Sequence, residues 1–287
     1  MRIRYIIIVG FFLIFPNFIS AQEKQELKRE RTIIDDQFIY DFENEKEPYK
    51  VLHAEPLYID LIRDLGARKG EHEWNVGFGL LDRNSYEEYE FLIEYEFAVI
   101  DRLGLEIELP FAFFSGTDNS SGVPENKLEG LQVAAQYTFL VSKKAQTSLA
   151  LGYLHKFKMV SFQQFGNDPL YSGNVYNPFF IAAKRWGRSF HTLIYTGPEF
   201  DRTFNSGSTE LAFEINTNLH YMIPGTTNFV GVEFNKAIED SKFSMTIRPQ
   251  IRVEIREGML IGLVTGIPAD RGDEKLSMFL RLIYEPL

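Results

Sequence analysis

From His72 onward the chain consists largely of segments in which apolar and polar residues alternate. The clearest pair lies between Tyr86 and Phe114, where one face of each segment is apolar and the other carries glutamates. Side chains of a β-strand point alternately to opposite faces, so each segment is expected to form a strand with one apolar face. The turn at Asp101 and Arg102 is tight, which predicts an antiparallel hairpin. Both strands are roughly twice the ~5–6 residues usual in soluble proteins.

The same alternation predicts about twelve strands in all. Short turns such as Pro224 to Thr226 alternate along the chain with longer polar loops such as Ser115 to Asn126. In outer-membrane barrels the tight turns face the periplasm, the loops face outside, and aromatic residues form girdles at both interfaces. We therefore predict an all-β fold, a single antiparallel transmembrane up-and-down β-barrel of about twelve strands over residues 71–287, in the outer membrane. Its outward faces would contact lipid, and an even strand number would leave both termini periplasmic.

Soluble antiparallel sheets also alternate in this way, with the apolar face packed inward on a core. An exported soluble β-barrel or sandwich is therefore the alternative fold. The length and the number of the strands favour the membrane barrel. Two segments, Asn174 to Arg185 and Phe190 to Phe200, have mixed patterns that do not indicate which face is apolar.

The first residues have the pattern of an export signal. Arg2 and Arg4 precede an apolar run that ends at Ile19, and the small residues Ser20 and Ala21 follow. This pattern predicts a signal peptide over residues 1–21 that is cleaved after Ala21. The alternative is an uncleaved N-terminal anchor.

Two further parts lie between the signal peptide and the barrel. Residues 22–52 are rich in charge and lack a sustained period, so we expect a mobile or loosely docked segment. Within residues 53–70, a proline suited to a helix start, a glycine suited to a C-cap and an apolar stripe predict one short amphipathic helix, Pro56 to Leu65. This helix could serve as a plug or gate of the barrel, or it could dock on its surface.

Composition narrows the classes of function. The chain carries 30 Lys+Arg and 40 Asp+Glu; residues 1–21 hold two arginines, so the remainder carries 28 against 40, a net charge of −12. This acidic balance argues against nucleic acid as a partner, because binding of phosphates requires a basic face. The chain has no cysteine, which excludes a thiolate nucleophile and Cys-ligated metals.

The histidines show no catalytic or metal-binding spacing. A nucleophile and its base on one strand must share a face, but no serine lies two residues after His155, His191 or His220. The five histidines also lack any paired spacing typical of metal ligands. We therefore expect no enzyme activity, no catalytic residue, no cofactor and no metal site; a barrel hydrolase is the less favoured alternative.

The stretch from His53 to Glu71, HAEPLYIDLIRDLGARKGE, is followed by Glu73-Trp74-Asn75. It resembles the N-terminal stretch of a family of bacterial outer-membrane barrel proteins. The resemblance implies an outer-membrane barrel and carries over no activity. Some similar chains bear the name phosphoribosylformylglycinamidine synthase, which this sequence does not support: the glutaminase part of such an enzyme needs a cysteine, and no Gly-rich phosphate loop is present.

If the apolar faces contact lipid, the opposite faces line the lumen with glutamates on one wall and arginines on another. The predicted lumen-lining residues are Glu90, Glu94, Glu96, Glu106, Glu108, Arg248, Arg252 and Arg281. Opposed charges of this kind create a transverse field that filters polar solutes. The function predicted from sequence is thus a narrow pore for small polar solutes. A closed barrel acting as a structural or surface-interaction module is the alternative, and a plugged lumen is as compatible with the pattern as an open one.

Overall fold

The computed structural model describes residues 21–59, 61–62, 64–116, 122–167, 169–270, 272 and 274–286. Residues 1–20, which hold nearly all of the expected signal peptide, lie outside the described residues. Twelve long antiparallel strands form a closed barrel, which confirms the predicted fold. The strands are β1 (His72–Arg83), β2 (Tyr86–Ile100), β3 (Leu103–Gly116), the two-residue β4 (Lys127–Leu128), β5 (Gly130–Ser142), β6 (Thr147–Met159), β7 (Tyr171–Trp186), β8 (Phe190–Thr203), β9 (Thr209–Met222), β10 (Phe229–Glu239), β11 (Lys242–Arg256), β12 (Met259–Pro268) and β13 (Glu274–Tyr284).

Apart from the short β4, which pairs with β3, strands that follow one another in the sequence are also neighbours in the sheet. The first and last strands close the barrel, because β1 pairs with both β2 and β13. Phe78 of β1, for example, lies opposite Phe91 on one side and Leu280 on the other. Strand β3 pairs with β5 over most of its first half and with the short β4 beyond it. Along the paired residues the ladder closes into a ring, as a spanning barrel requires.

The apolar faces of the strands point outward. Ile107 is 46% exposed and Leu211 is 53% exposed, whereas Glu94 and Glu106 are 0% and 1% exposed. In water this arrangement would leave a broad apolar belt unburied, but in a bilayer the belt contacts lipid. The orientation is that of a membrane barrel and the reverse of a soluble barrel with an apolar centre.

The two segments with mixed patterns are strands β7 and β8, and the structure explains their patterns. Their inward faces are apolar at several positions, including the buried Phe179, Ile181 and Leu193. These side chains pack on an internal chain segment rather than on water. Both faces of β7 and β8 are therefore partly apolar, so alternation alone could not distinguish them.

The predicted helix from Pro56 to Leu65 is wrong: the described residues of this stretch have no helical structure. They run through the inside of the barrel, and Leu57, Ile62 and Leu65 are almost completely buried. Their spacing imitates the stripe of an amphipathic helix. Acceptors on the barrel wall bind several backbone N–H groups of this stretch, so a helix is not required to satisfy them.

The segment expected to be mobile or loosely docked contains helix α1 (Ala21–Asn44), which lies across the end of the barrel that carries the short turns. Its docked face includes the buried Asp35, Ile39 and Glu43, spaced four residues apart. Two of these three residues are acidic, which hid the helical period from a search for apolar residues. No helix in the described part of the chain is long and apolar enough to cross a bilayer.

Ion pairs hold α1 to the turns. Asp36 accepts two hydrogen bonds from the guanidinium group of Arg188, at 2.5 and 3.0 Å, and this bonding lowers the pKa of Asp36. Asp35 accepts the backbone N–H of Gly225 at 3.1 Å, and Glu43 pairs with Arg185 at 2.7 Å. The helix therefore covers one mouth of the barrel.

We expect Ile215→Arg, at the middle of the outer face of β9, to lower the free energy of unfolding by about 2–4 kcal/mol, because a guanidinium group would lie near the bilayer midplane. Leu211→Arg is the matched control on the same face, nearer the strand end, with an expected cost of about 0–1 kcal/mol. Reversible denaturant unfolding in lipid vesicles measures both. Equal costs for the two variants would contradict a lipid-facing outer surface.

Candidate functional site

A chain segment fills the centre of the barrel; we call residues 50–71 the inner segment. Positions 60 and 63 within it lie outside the described residues. Its apolar side chains are buried to between 1% and 7% exposure, among them Leu57, Ile62 and Leu65. The buried apolar residues are Val51, Leu52, Ala54, Leu57, Ile59, Leu61, Ile62, Leu65 and Ala67. The inner segment therefore has the burial of a protein core although it has no regular structure.

One carboxylate holds the middle of the inner segment. Glu233 on β10 accepts the backbone N–H groups of Leu57 at 2.9 Å, Tyr58 at 3.2 Å and Ile59 at 3.0 Å. The side-chain amide of Gln250 donates a further hydrogen bond to Glu233 at 2.6 Å. Glu233 is 0% exposed. A buried carboxylate is tolerated where several donors surround it, and here three of the four donors belong to the inner segment.

Polar wall residues hold the inner segment on either side of this anchor. His191 accepts the backbone N–H of Ala54 at 3.1 Å, and Arg252 pairs with Glu55 at 2.8 Å. Further along, the hydroxyl of Thr138 accepts the backbone N–H of Gly66 at 3.1 Å. Gly66 has a φ of 97°, a conformation that favours glycine. These contacts involve four different strands when Glu233 and Gln250 are included, so the segment is held across the width of the lumen.

Apolar contacts complete the fit. Ile59, Ile62 and Leu65 pack in one cluster with the inward faces of β7 and β8. Leu57 packs in a second cluster that includes Phe279. At Gly262 a Cβ atom would lie only 2.5 Å from Leu57 Cδ2, so the absence of a side chain there makes room for Leu57.

The two ends of the inner segment are tied to each other and to α1. Lys50 pairs with Asp64 at 2.7 Å and with Glu71 at 3.1 Å. Burial acts to lower the pKa of Lys50, but attraction to these two carboxylates outweighs it and raises the pKa. Arg68 donates hydrogen bonds to the carbonyl oxygens of Pro48 and Glu43 at 3.1 and 3.0 Å. The inner segment and the end of α1 thus form one connected unit.

Seven of the eight residues predicted to line the lumen are buried, and Glu90 is half-buried. Arg281 pairs with Glu94 at 2.7 Å, which brings one member of the basic wall against the acidic wall. The guanidinium group of Arg248 lies 3.4 Å from the ring centre of Tyr58 and donates a hydrogen bond to Ser277 at 3.1 Å. Arg248 and Arg252 therefore contact the inner segment directly, a role that the sequence analysis did not foresee.

Carboxylates gather on the wall formed by β1, β2 and β3. One carboxylate oxygen from each of Glu94, Glu96 and Glu106 lies within 4.8 Å of the other two, which is close enough for the three carboxylates to bind one cation. The amide of Asn75 donates hydrogen bonds to Glu94 and Glu96 at 2.6 and 3.2 Å. Asn75 and Arg281 thus supply donors to this group within the protein itself.

The structure also contains a Ser–His contact that strand spacing could not reveal. Nε2 of His53 lies 2.9 Å from the hydroxyl oxygen of Ser148. Ser148 is 0% exposed, and Nδ1 of His53 has no hydrogen-bond partner among the described residues. A catalytic pair needs an accessible nucleophile and a group that orients the base. This contact instead attaches the inner segment to β6.

Four cavities follow one another past the inner segment. A cavity of about 610 Å³ lies at the loop end and shares Tyr58 and Lys156 with one of about 260 Å³ beside β2 and β3. Arg281 lines both the 260 Å³ cavity and a third cavity of only about 20 Å³. Glu55 and Arg252 line both this third cavity and a fourth, of about 370 Å³, near α1. The smallest cavity is the constriction; its lining includes Glu73 and Glu96 together with Arg252 and Arg281.

A family model described as HAEPLYID-like matches residues 49–285. The chain belongs to this family. The matched region includes the inner segment and the whole barrel, in agreement with the resemblance noted in the sequence. A search of curated proteins finds no match.

Solved outer-membrane channels share the fold of this family member. An outer-membrane channel from Pseudomonas putida F1 matches with a TM-score of 0.58 and 12% identity, over 79% of this chain and 100% of that chain. The NanC porin matches with a TM-score of 0.55 and 12% identity, over 75% and 100%. The KdgM porin matches with a TM-score of 0.51 and 14% identity, over 74% and 99%. At these identities the likeness is one of fold.

The sequence analysis missed Glu233, Gln250, His191 and Thr138, the residues that bind the backbone of the inner segment. They lie on four different strands, far from the inner segment in sequence. One available indication was the isolated carboxylate of Glu233, which is the only charged residue among the first seven residues of β10, Phe229 to Asn235. Its partners are backbone groups, which no residue pattern reveals.

We expect Glu233→Gln to loosen the inner segment, because an amide cannot accept from three N–H groups as a carboxylate does. Because the chain lacks cysteine, Leu57→Cys provides a single reporter thiol at a buried position. Its rate of reaction with a water-soluble maleimide should rise at least about tenfold in the Glu233→Gln background, since hydrogen bonds to charged groups contribute ~1.5–3 kcal/mol. Glu257→Gln, in an exposed turn, is the control and should leave the rate unchanged. An unchanged rate in both backgrounds would show that Glu233 is not the anchor.

Proposed function

We propose that the protein is an outer-membrane channel for small polar solutes, exported through the signal peptide of residues 1–21 and with both termini in the periplasm. The observation that carries the proposal is the succession of cavities past the inner segment, which meet at a constriction between carboxylates and guanidinium groups. The fold shared with solved channels and porins supports the same function.

The eight residues predicted from sequence would line this path or hold its walls. Glu108 and Arg281 line the cavity beside β2 and β3, and Glu96, Arg252 and Arg281 line the constriction. Opposite charges at a narrow point orient dipolar solutes and exclude apolar ones. The acidic and basic walls therefore belong to one charged constriction. Glu90 also lines the cavity beside β2 and β3, and the remaining members, Glu94, Glu106 and Arg248, would set the field around the constriction.

The inner segment would also act as the gate. A space of about 20 Å³ holds roughly one water molecule, so a solute cannot pass the constriction while the inner segment stays in place. Passage would require Glu55 and its neighbours to move away from Arg252. Because several wall contacts would have to break together, we expect release of the inner segment to be a discrete step rather than a gradual opening.

The second candidate is a closed barrel that serves as a structural or surface-interaction module. The tight fit of the inner segment, with Glu233 bound to three consecutive N–H groups, favours this alternative. The two functions differ in one respect that can be measured, namely whether release of the inner segment opens a path.

A reversible tether separates the two candidates. A Cβ atom at position 262 would lie 3.1 Å from Leu57 Cγ, a spacing that suits a disulfide between Leu57→Cys and Gly262→Cys. We expect the oxidised double variant to be nearly silent in planar bilayers and reduction to produce ion-conducting steps. The unsubstituted chain has no cysteine, so reductant alone should not change its conductance. A barrel that stays silent after reduction, and under every applied voltage, would support the closed module.

The constriction predicts a change of selectivity. Arg281→Gln removes a positive charge beside Glu94 and should shift the permeability ratio toward cations, as measured by the reversal potential in a salt gradient. Lys275→Gln removes the same charge at the exposed end of β13, where Lys275 pairs with Asp82 at 3.1 Å, and should leave the ratio nearly unchanged. Equal shifts in both variants would place the selective region away from the constriction.

A further inference from the structure

The cavity at the loop end, about 610 Å³ in volume, has charged walls and a floor formed by Tyr58 and Ile59 of the inner segment. We call it the outer cavity. Its wall side chains include four lysines and four carboxylates. These residues are Lys127, Lys156, Lys158, Lys236, Glu129, Glu199, Asp201 and Glu214. It is large enough for a small organic solute.

The charges on one side of the outer cavity leave a surplus of positive charge. Glu129 pairs with two lysines at once, Lys156 at 2.8 Å and Lys127 at 3.4 Å. Lys158 pairs with Asp201 at 2.6 Å and needs no other partner. On the side of β4, β5 and β6, the single carboxylate of Glu129 thus pairs with two ammonium groups.

The other side has the opposite surplus. Among the described residues, Glu199 and Glu214 make no ion pair. Lys236, the one lysine on this side of the described lining, donates to the hydroxyl of Thr217 at 2.7 Å instead. Glu214 lies opposite Gly197 in the pairing of β8 with β9, so it is the diagonal neighbour of Glu199 on the same inward face. Asn177 accepts a hydrogen bond from the hydroxyl of Tyr195 at 2.6 Å and donates one to the carbonyl oxygen of Pro198 at 3.4 Å, which fixes the position of this wall. Two neighbouring half-buried carboxylates without a cation are costly, and a ligand ammonium group would relieve that cost.

From these two sides we infer that the outer cavity binds small zwitterionic solutes, with the ammonium group at Glu199 and Glu214 and the carboxylate at Lys127 and Lys156. An amine alone would satisfy only the acidic side, and a carboxylic acid alone only the basic side. The inference names the solute class of the proposed channel and takes its biological meaning from that proposed function. Binding itself does not require the inner segment to move, because its residues form only the floor of the outer cavity.

Equilibrium dialysis of the full chain folded in detergent tests the inference, with 4-aminobutanoate as the probe and n-butylammonium and butanoate as its single-charge analogues. We expect 4-aminobutanoate to bind more tightly than either analogue. The double variant Glu199→Gln, Glu214→Gln should weaken the binding of 4-aminobutanoate at least about tenfold, because the ammonium group of the probe loses a charge-assisted contact. Lys127→Gln leaves the Lys156–Glu129 pair in place and should reduce the affinity for 4-aminobutanoate to that for n-butylammonium.

Glu257→Gln and Lys242→Gln are the charge-matched controls, since both residues are exposed and lie outside the lining of the outer cavity. The single variants Glu199→Gln and Glu214→Gln provide the same test if the double variant does not fold. Absence of saturable binding, equal affinity for the probe and n-butylammonium, or equal losses in the controls would each overturn the inference. Failed binding by a protein that conducts after release of the tether would overturn the solute class alone. Binding by a protein that never conducts would overturn the channel alone.

Discussion

The structure depends on how the wall of the barrel satisfies the backbone of the inner segment. A non-helical segment enclosed in a barrel exposes N–H groups that have no partner within the segment, and each unpaired group would cost free energy. Glu233 resolves this at three consecutive residues, Leu57 to Ile59, and also receives a bond from Gln250. The same contacts make burial of the Glu233 carboxylate tolerable, so the segment and the wall stabilise each other.

This mutual dependence explains the uneven interior of the barrel. Strands β7 and β8 are apolar inside because Ile62 and Leu65 pack on them, whereas β2 and β3 carry carboxylates where the small cavities pass. The apolar faces of β7 and β8 therefore need the inner segment beside them, and the carboxylates of β2 and β3 need polar surroundings. An apolar inward face would be exposed to water without the inner segment, whereas the buried carboxylates of β2 and β3 depend on donors such as Asn75 and Arg281. The interior is thus divided into an apolar half and a charged half.

The outer half of this architecture was predictable from sequence, because a lipid-facing strand must repeat its apolar residues at every second position. That constraint is local, and it placed Ile107 and Leu211 outside and Glu94 inside correctly. The conformation of the inner segment was not predictable, because the spacing of Leu57, Leu61, Ile62 and Leu65 fits a helix equally well. Helix α1 was missed for the opposite reason, since acidic residues occupy its docked face. The contact of His53 with Ser148, and the anchor at Glu233, join positions far apart in sequence that only the closed barrel brings together.

The central claim, that the inner segment is bound inside the barrel as firmly as the wall itself, is tested most directly by hydrogen–deuterium exchange on the protein in lipid nanodiscs. The account predicts that the amides of Leu57, Tyr58 and Ile59 exchange as slowly as those of β7 and β8, because their N–H groups are bonded to a buried carboxylate. Exchange of these three amides within the first seconds, while β7 and β8 stay protected, would contradict it and would leave the lumen without its anchored segment.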